Sequence, residues 1–355
     1  MKKSLLALAV LTAVSGAASA QSSVTIYGKV DLGIVYDAGG PGKSVRLDSG
    51  VTGGSRIGFK GVEDLGGGTK FSFQLETGYC ADSAAGVSSG GATVPNFCTG
   101  GNNFMGRQAH GDLTGAFGAL SAGRQYSLGF NNLATLDPFG TGFSGQADNV
   151  TAGGLYLVDP SGIRLNNSVI YSTPNAAGFT ASVEAAFGEQ TGNWEANRET
   201  GAGLTYASGP AYAGVTYYDL GSATGNGSAK KVLTVGGTYD FGVVKIHGLG
   251  QSVTGTTTLD YRSYLAGVTV PIGQAQILAS YVRHNDRTAL AINDFAHLNA
   301  SQIGVGVLYA LSKRTSVYTS AARIQNTHGA AFLVGNATAL GTGNKSFDFG
   351  VVHNF

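Results

Sequence analysis

The sequence predicts an all-β fold, an antiparallel transmembrane β-barrel of sixteen strands. Three observations carry that expectation. Side chains alternate between apolar and polar with period two over most of the chain, the mark of strands with one apolar and one wet face. The connections between these segments alternate between short turns bearing Gly or Pro and long polar stretches. The composition is rich in Gly (57 of 355 residues), 10% aromatic and only 12% charged, about half the charge of an ordinary soluble domain. Low charge combined with many aromatics argues against disorder. Gly without a three-residue period excludes collagen, and a formal charge of +1 offers nucleic acid no electrostatic footprint.

Residues 1–20 read as an export signal. Lys2 and Lys3 give the basic start, Leu5–Val14 an apolar run, and Ala18-Ser19-Ala20 the small-x-small cleavage site. That run has about ten residues, whereas a helix needs about twenty to span a bilayer. Cleavage after Ala20 leaves 21–355 as one domain and removes two lysines, so that 20 basic residues face 21 acidic ones. No later window is apolar enough for a spanning helix. Such an exported chain enters a membrane only as a closed barrel.

The first strand segment, from Val24, places Val24, Ile26, Val30, Leu32 and Ile34 on one face and Thr25, Lys29 and Asp31 on the other. Phe71, Phe73 and Leu75 alternate with Ser72, Gln74 and Glu76, and Ile303, Val305, Val307 and Tyr309 share a face. The chain ends with Phe347, Phe349, Val351 and Phe355 in phase, opposite Ser346, Asp348 and Asn354. Tight turns fall at Leu65–Gly68, Asn175–Gly178, Ser208–Pro210, Pro271–Gly273 and Leu311–Arg314, where Gly and Pro set the backbone angles. Long connections cover 80–102, 127–163, 188–197, 220–229, 285–298 and 326–342. One trimmed rim and one looped rim are the pattern of an outer-membrane barrel. Sixteen strands leave about 21 residues for each strand with its connection, enough for a tilted span of ten or eleven. A β-sandwich fits less well, because its strands average five or six residues.

Several ordered segments resemble the general porins of Gram-negative bacteria, most closely the beta-proteobacterial and Neisserial branch. They are SSVTIYGKVDLGIVY (22–36), SRIGFKGVEDLGGGTKFSFQLETG (55–78), GRQAHGDLTGAFGALSAGRQYS (106–127), RLNNSVIYSTPNAAGF (164–179), YALSKRTSVY (309–318) and the terminal Phe355. The resemblance spans essentially the whole mature chain. It implies a homotrimer in the outer membrane, with one loop folded inward to narrow each pore. Its activity would be passive diffusion of small hydrophilic solutes, selected by width and electric field without cofactor or covalent step.

The longest connection, 127–163, is the natural constriction loop, and its Asp137-Pro138-Phe139-Gly140 resembles the acidic stretch on the family's inward loop. Opposite it the family places a basic cluster. The matching positions are Lys29, Arg56, Arg107 and Arg164, with Arg124 as a fifth, secondary one. Alternation independently sends Lys29 and Arg56 to the wet face. It would turn Arg107 outward with Ala109, Gly111 and Leu113, at roughly 2–4 kcal/mol at the bilayer midplane; the resemblance turns it to the lumen. Asp137 and Asp148 are the candidate loop acids facing this wall. More bases than acids predicts a preference for anions, although a channel specific for an organic acid or phosphate would use the same parts. A barrel serving as adhesin or anchor is the further alternative.

Cys80 and Cys98, the only cysteines, form the expected disulfide of an exported chain. Nothing in the sequence argues for an enzyme. Gly140–Gly145 fits G-x-G-x-x-G only formally, lacking a βαβ context, and the six histidines show no metal spacing.

Overall fold

The computed structural model describes residues 23–39, 42–82, 104–150, 163–224, 228–255, 260–288, 298–327, 330, 332–334 and 343–355. Seventeen strand segments form one antiparallel sheet that closes on itself. They are β1 (Ser23–Ala38), β2 (Ser44–Ser49), β3 (Arg56–Gly66), β4 (Thr69–Gly78), β5 (Gln108–Gly115), β6 (Gly118–Tyr126), β7 (Arg164–Ser172), β8 (Phe179–Ala186) and β9 (Glu199–Ser208). The second half comprises β10 (Ala211–Gly221), β11 (Ser228–Asp240), β12 (Lys245–Gly255), β13 (Asp260–Ile272), β14 (Ala275–Asp286), β15 (Ala300–Ala310), β16 (Thr315–Asn326) and β17 (Lys345–Asn354). Segments β2 and β3 lie end to end along the same side of β1, with Leu32–Asp37 facing β2 and Ser23–Lys29 facing β3. The two therefore act as one strand, and the cylinder has the sixteen that the sequence predicts.

Closure joins the two ends of the chain. Residues Lys29–Ala38 pair with β17, and Gly28 and Phe355 exchange backbone hydrogen bonds of 3.0 and 3.1 Å. A Cβ at Gly28 would stand 2.3 Å from the Phe355 ring, so glycine is what lets the terminal aromatic seal the seam.

The break between β2 and β3 is built around Asp31, which is fully buried. One carboxylate oxygen accepts from the Thr52 amide and hydroxyl, both at 2.7 Å, and the other accepts from the Tyr318 hydroxyl at 2.7 Å. Gly50 and Gly53 adopt positive φ there (83° and 145°), and the chain steps inward before the strand resumes at Arg56.

Outward faces are apolar, as alternation requires: Ile303, Val305, Val307, Phe347, Phe349 and Val351 are all exposed, as are Val24, Ile26 and Ile34. The inner wall is not uniformly wet. Tyr218, Val232, Leu249, Val253, Leu265, Val282 and Ile324 form an apolar cluster inside the cylinder, and Leu133, Leu136, Ala147 and Val150 from the 127–150 segment complete it.

Candidate functional site

The segment after β6 turns into the barrel. Ser127 caps helix α1 (Leu128–Leu136) by accepting from the Phe130 amide at 3.1 Å, supplying an acceptor for an otherwise unpaired amide of the first turn. From there the chain runs along the inner wall over a track of glycines. A Cβ at Gly214 would meet Asn132 Oδ1 at 2.1 Å, one at Gly236 would meet Leu136 Cδ1 at 2.6 Å, and one at Gly267 would meet Pro138 Cγ at 2.4 Å. Farther along, Phe139 lies 3.0 Å from the Cβ position of Gly306. The tip is fastened at the far side: the Ser144 amide donates to Asp348 at 2.8 Å, and the Phe143 amide to the Val51 carbonyl at 2.6 Å. Phe143 also sets its ring edge-on against Tyr318 (centroids 5.5 Å). The loop thus covers the inner faces of β9–β17 and reaches the β2–β3 break. Among the described residues, this stretch of the loop does not extend over the sector from β3 to β7.

That sector carries the basic cluster, organised by two residues that no motif had singled out. Glu76, at the end of β4, is 2% exposed. Its Oε1 receives Arg107 Nε at 2.7 Å and lies 3.7 Å from Arg56 Nη1, while its Oε2 accepts from Tyr27 at 2.9 Å. The hydroxyl of Tyr126 accepts from Arg107 Nη2 (2.6 Å) and from Arg164 Nη2 (2.7 Å). The Arg164 guanidinium sits over the Tyr126 ring at 4.4 Å, and Phe130 stacks on Tyr126 at 4.9 Å. Lys29 Nζ and Arg56 Nη2 each come within 3.5 Å of the Cβ position of Gly53. Arg56 and Arg107 thus meet at Glu76, Arg164 is held by Tyr126, and Lys29 lies beside Arg56; guanidinium groups stay charged at any physiological pH.

Alternation misplaces Arg107 for a specific reason. Residue 107 precedes β5, which begins at Gln108, and follows Met105 at φ 58°. The two-residue period therefore does not govern it, and its side chain turns to Glu76. Within β5 the period holds, since Gln108 and Asp112 lie across from Glu76 and Ser72 on the same face. Arg124 is bonded away from Glu76: its Nε donates to the Gly106 carbonyl (2.6 Å) and its Nη1 to Asn166 (2.5 Å).

The loop acids differ from the expectation. Asp137 and Asp148 are both buried, at 3% and 4% exposure, and neither faces the wall cations. The Asp137 carboxylate accepts the amides of Phe139 (3.0 Å), Thr141 (3.1 Å) and Ala147 (2.9 Å); it shapes the turn. Burial pushes its pKa up to about 6, against the lowering effect of those amides. Burial, with the neighbouring Asp137 charge adding to it, pushes Asp148 to about 7. Among the described loop residues, Asn131, Thr135 and Gly140 are exposed and Leu128, Phe130, Ala134, Pro138, Thr141 and Gln146 half-buried. None of these ionises. Cys80 is buried and disulfide-bonded; Cys98 lies outside the described residues, as do 151–162 of the loop and residues 1–22 with the expected signal.

Residues 7–329 match the family model for Gram-negative porins. The chain belongs to the Gram-negative porin family. It is 36% identical over 342 residues to outer membrane porin protein 32 of Delftia acidovorans, covering 92% of this chain and 90% of that one. A porin of Bordetella pertussis is 30% identical, covering 97% and 99%. The major outer membrane protein P.IB of Neisseria meningitidis is 29% identical, covering 97% and 100%. Among solved structures, an anion-selective porin from Comamonas acidovorans superposes with a TM-score of 0.71 at 28% identity, covering 94% of this chain and all of the other. The chain is accordingly an outer-membrane porin, crossing the bilayer with its strands.

Proposed function

We propose that this porin is a passive channel with a preference for small anions, formed after loss of residues 1–20 and assembled as a homotrimer. One observation carries the selectivity: Lys29, Arg56, Arg107 and Arg164 gather on one wall, two of them on Glu76 and Arg164 on Tyr126, and the described lumen face of the loop opposite is uncharged. Only charges within about 8 Å of a permeating ion act on it at physiological salt, so the near-zero charge of the whole chain does not oppose this excess. A cation approaching the constriction meets repulsion on one side and, among the described loop residues, no exposed acid on the other. An anion meets a row of guanidinium donors, with Arg56 and Arg107 on Glu76 and Arg107 and Arg164 on Tyr126. The anion selectivity named for the Comamonas porin supports the same reading, and the shared fold supports the trimer.

The test is the zero-current potential of single channels in a planar bilayer under a KCl gradient. An anion-selective sign is expected; a cation-selective sign overturns the proposal. Crosslinking of the protein in detergent tests the trimer.

A further inference from the structure

At the trimmed rim, on the inner surface below the loop, the wall opens into a cavity of about 660 Å³. That volume lies within the roughly 300–1,000 Å³ of small-molecule sites. The cavity spans two neighbouring short turns, the one joining β9 to β10 and the one joining β11 to β12, and its lining includes Ala207, Tyr212, Thr238, Asp240 and Lys245. Register puts these residues on the lumen face. Tyr212 stands opposite Ala207 on one side and Thr238 on the other, and its hydroxyl donates to Asn132 of α1 at 2.9 Å. Asp240 follows Thr238 by two positions and so shares its face, and Lys245 is its direct partner across the hairpin. A solute that has passed α1 meets this cavity on its way out through the short-turn end.

Charge is sparse here, and it is paired. In the short turns of β9–β14 and the strand halves nearest them, Asp240 is the only acid and Lys245 the only Lys or Arg. Residues directly opposite on antiparallel strands have Cα atoms about 4.5–5.5 Å apart, a spacing at which opposite charges attract. Yet the two form no ion pair, with each other or with a third residue, among the described residues. Asp240 is committed to the turn through one oxygen only, Oδ1, which accepts the Gly242 amide at 2.7 Å. His247, the next lumen-facing residue of β12, has both ring nitrogens engaged, Nδ1 at the Leu136 carbonyl and Nε2 at the Thr269 hydroxyl, each at 3.1 Å. The ammonium of Lys245 and the Oδ2 of Asp240 are thus the charged atoms left to a ligand.

A carboxylate and an ammonium set side by side but not joined complement a ligand that carries the same two groups on one carbon. We infer that this cavity binds small zwitterions of the α-amino acid class. The ligand carboxylate meets Lys245 Nζ, the ligand ammonium meets Asp240 Oδ2, and the side chain lies toward Tyr212 and Thr238. A simple anion finds Asp240 beside Lys245, and a simple cation finds Lys245 beside Asp240, so neither satisfies both groups. A zwitterion has no net charge, so the arginine wall does not exclude it, and the site stands independently of the anion preference.

The experiment is saturation-transfer NMR of L-alanine titrated onto the purified, folded protein in detergent. Asp240→Asn and Lys245→Gln are each expected to weaken alanine binding about three- to fivefold, the contribution of one exposed ion pair, and D240N/K245Q about tenfold or more. Acetate and methylammonium, which carry one of the two charges each, are expected to compete with alanine for the cavity more weakly than glycine does. R56Q/R164Q is expected to leave alanine binding unchanged, which separates this cavity from the wall cluster. The zero-current potential of D240N/K245Q, which loses one charge of each sign, is expected to match wild type and verifies folding. Equal alanine affinity in D240N/K245Q and wild type overturns the inference, as does absence of alanine binding to the wild type. Competition by acetate as strong as that by glycine also overturns it, because the cavity then reads a single charge.

Discussion

Replacing Arg56 and Arg164 together by Gln takes the wall cluster from four cations to two and leaves Glu76 in place. An ion passing about 6 Å from a guanidinium, at an effective dielectric constant of about 40, interacts with it by about 1.4 kcal/mol. Screening at 0.1 M salt, with a Debye length of about 10 Å, reduces this to about 0.7 kcal/mol. The anion gains that amount and the cation loses it, so each charge changes the anion-to-cation permeability ratio by about tenfold. The double variant is therefore expected to lower the ratio at least about tenfold, toward a hundredfold where both charges act fully. The assay is the zero-current potential of single channels in a KCl gradient. Gln at 164 keeps an amide donor for the Tyr126 hydroxyl, which Arg164 now contacts at 2.7 Å, so the start of the loop stays anchored. Arg124→Gln is the internal control: its side chain is bonded to Gly106 and Asn166 rather than to the Glu76 cluster, and its effect should be the smaller. A zero-current potential in R56Q/R164Q within a few millivolts of wild type, or a larger shift in R124Q, would refute the assignment of these cations to the constriction.

Three further outcomes follow from the same geometry. Glu76→Gln should shift selectivity the opposite way, raising the anion preference severalfold, and lower thermal stability by about 1–3 kcal/mol because Arg107, 5% exposed, loses its charged partner; melting and bilayer recordings on one preparation check both. Gly267→Ala puts a Cβ 2.4 Å from Pro138, about 1 Å inside ordinary contact. The loop should leave the wall at a cost of about 1–3 kcal/mol, and reduced, noisier single-channel conductance is the readout. The pKa of Asp148 is raised by burial to about 7, so the folded loop favours the protonated acid. Stability should fall as pH climbs from about 4, the ordinary carboxylate range, and level off above about 7. Protease cleavage within 127–150 should be faster at pH 8 than at pH 5 relative to a control substrate, and Asp148→Asn should reduce that difference, the remainder belonging to Asp137, whose pKa burial raises to about 6.

The cylinder was readable because a strand's period is a local property. Ile303, Val305 and Val307 declare their face with no knowledge of their neighbours, and the glycine- or proline-bearing turns declare their rim. The last strand was readable for the same reason, since Phe347, Phe349, Val351 and the terminal Phe355 fall in phase. The basic wall was half readable. Lys29 and Arg56 obey alternation, whereas Arg107 lies just outside β5, where a preceding residue at positive φ cancels the period. Its lumen placement comes from a carboxylate 31 positions away. Glu76 and Tyr126 were visible as wet or aromatic residues, but their organising role depends on a register that pairs Glu76 with Gln108 and Tyr126 with Arg164. Sequence spacing does not encode that register.

Why the loop acids were misread has a physical answer that also bears on selectivity. A segment lying on an inner wall has two faces, and a sequence without period cannot say which of its charges points where. Here the wall under the loop is apolar, with Leu249, Leu265 and Val282 against Leu136 and its neighbours, so the loop docks as a dry layer and its turn must satisfy its own amides. Asp137 meets that need with three amide contacts. A carboxylate so engaged is absent from the pore's field in two respects: it is covered, and its charge is opposed by the amide dipoles it accepts from. Folding the loop against greasy wall thus removes acids from the constriction while leaving Asn131 and Thr135 at its open face. The anion preference comes as much from where the loop hides its charges as from where the wall displays its own. Moving an acid back, Thr135→Asp on the exposed face of α1, should therefore lower the anion-to-cation ratio by about tenfold on the same electrostatic reckoning. An unchanged zero-current potential in that variant would show that the described face of α1 does not border the path of the ions.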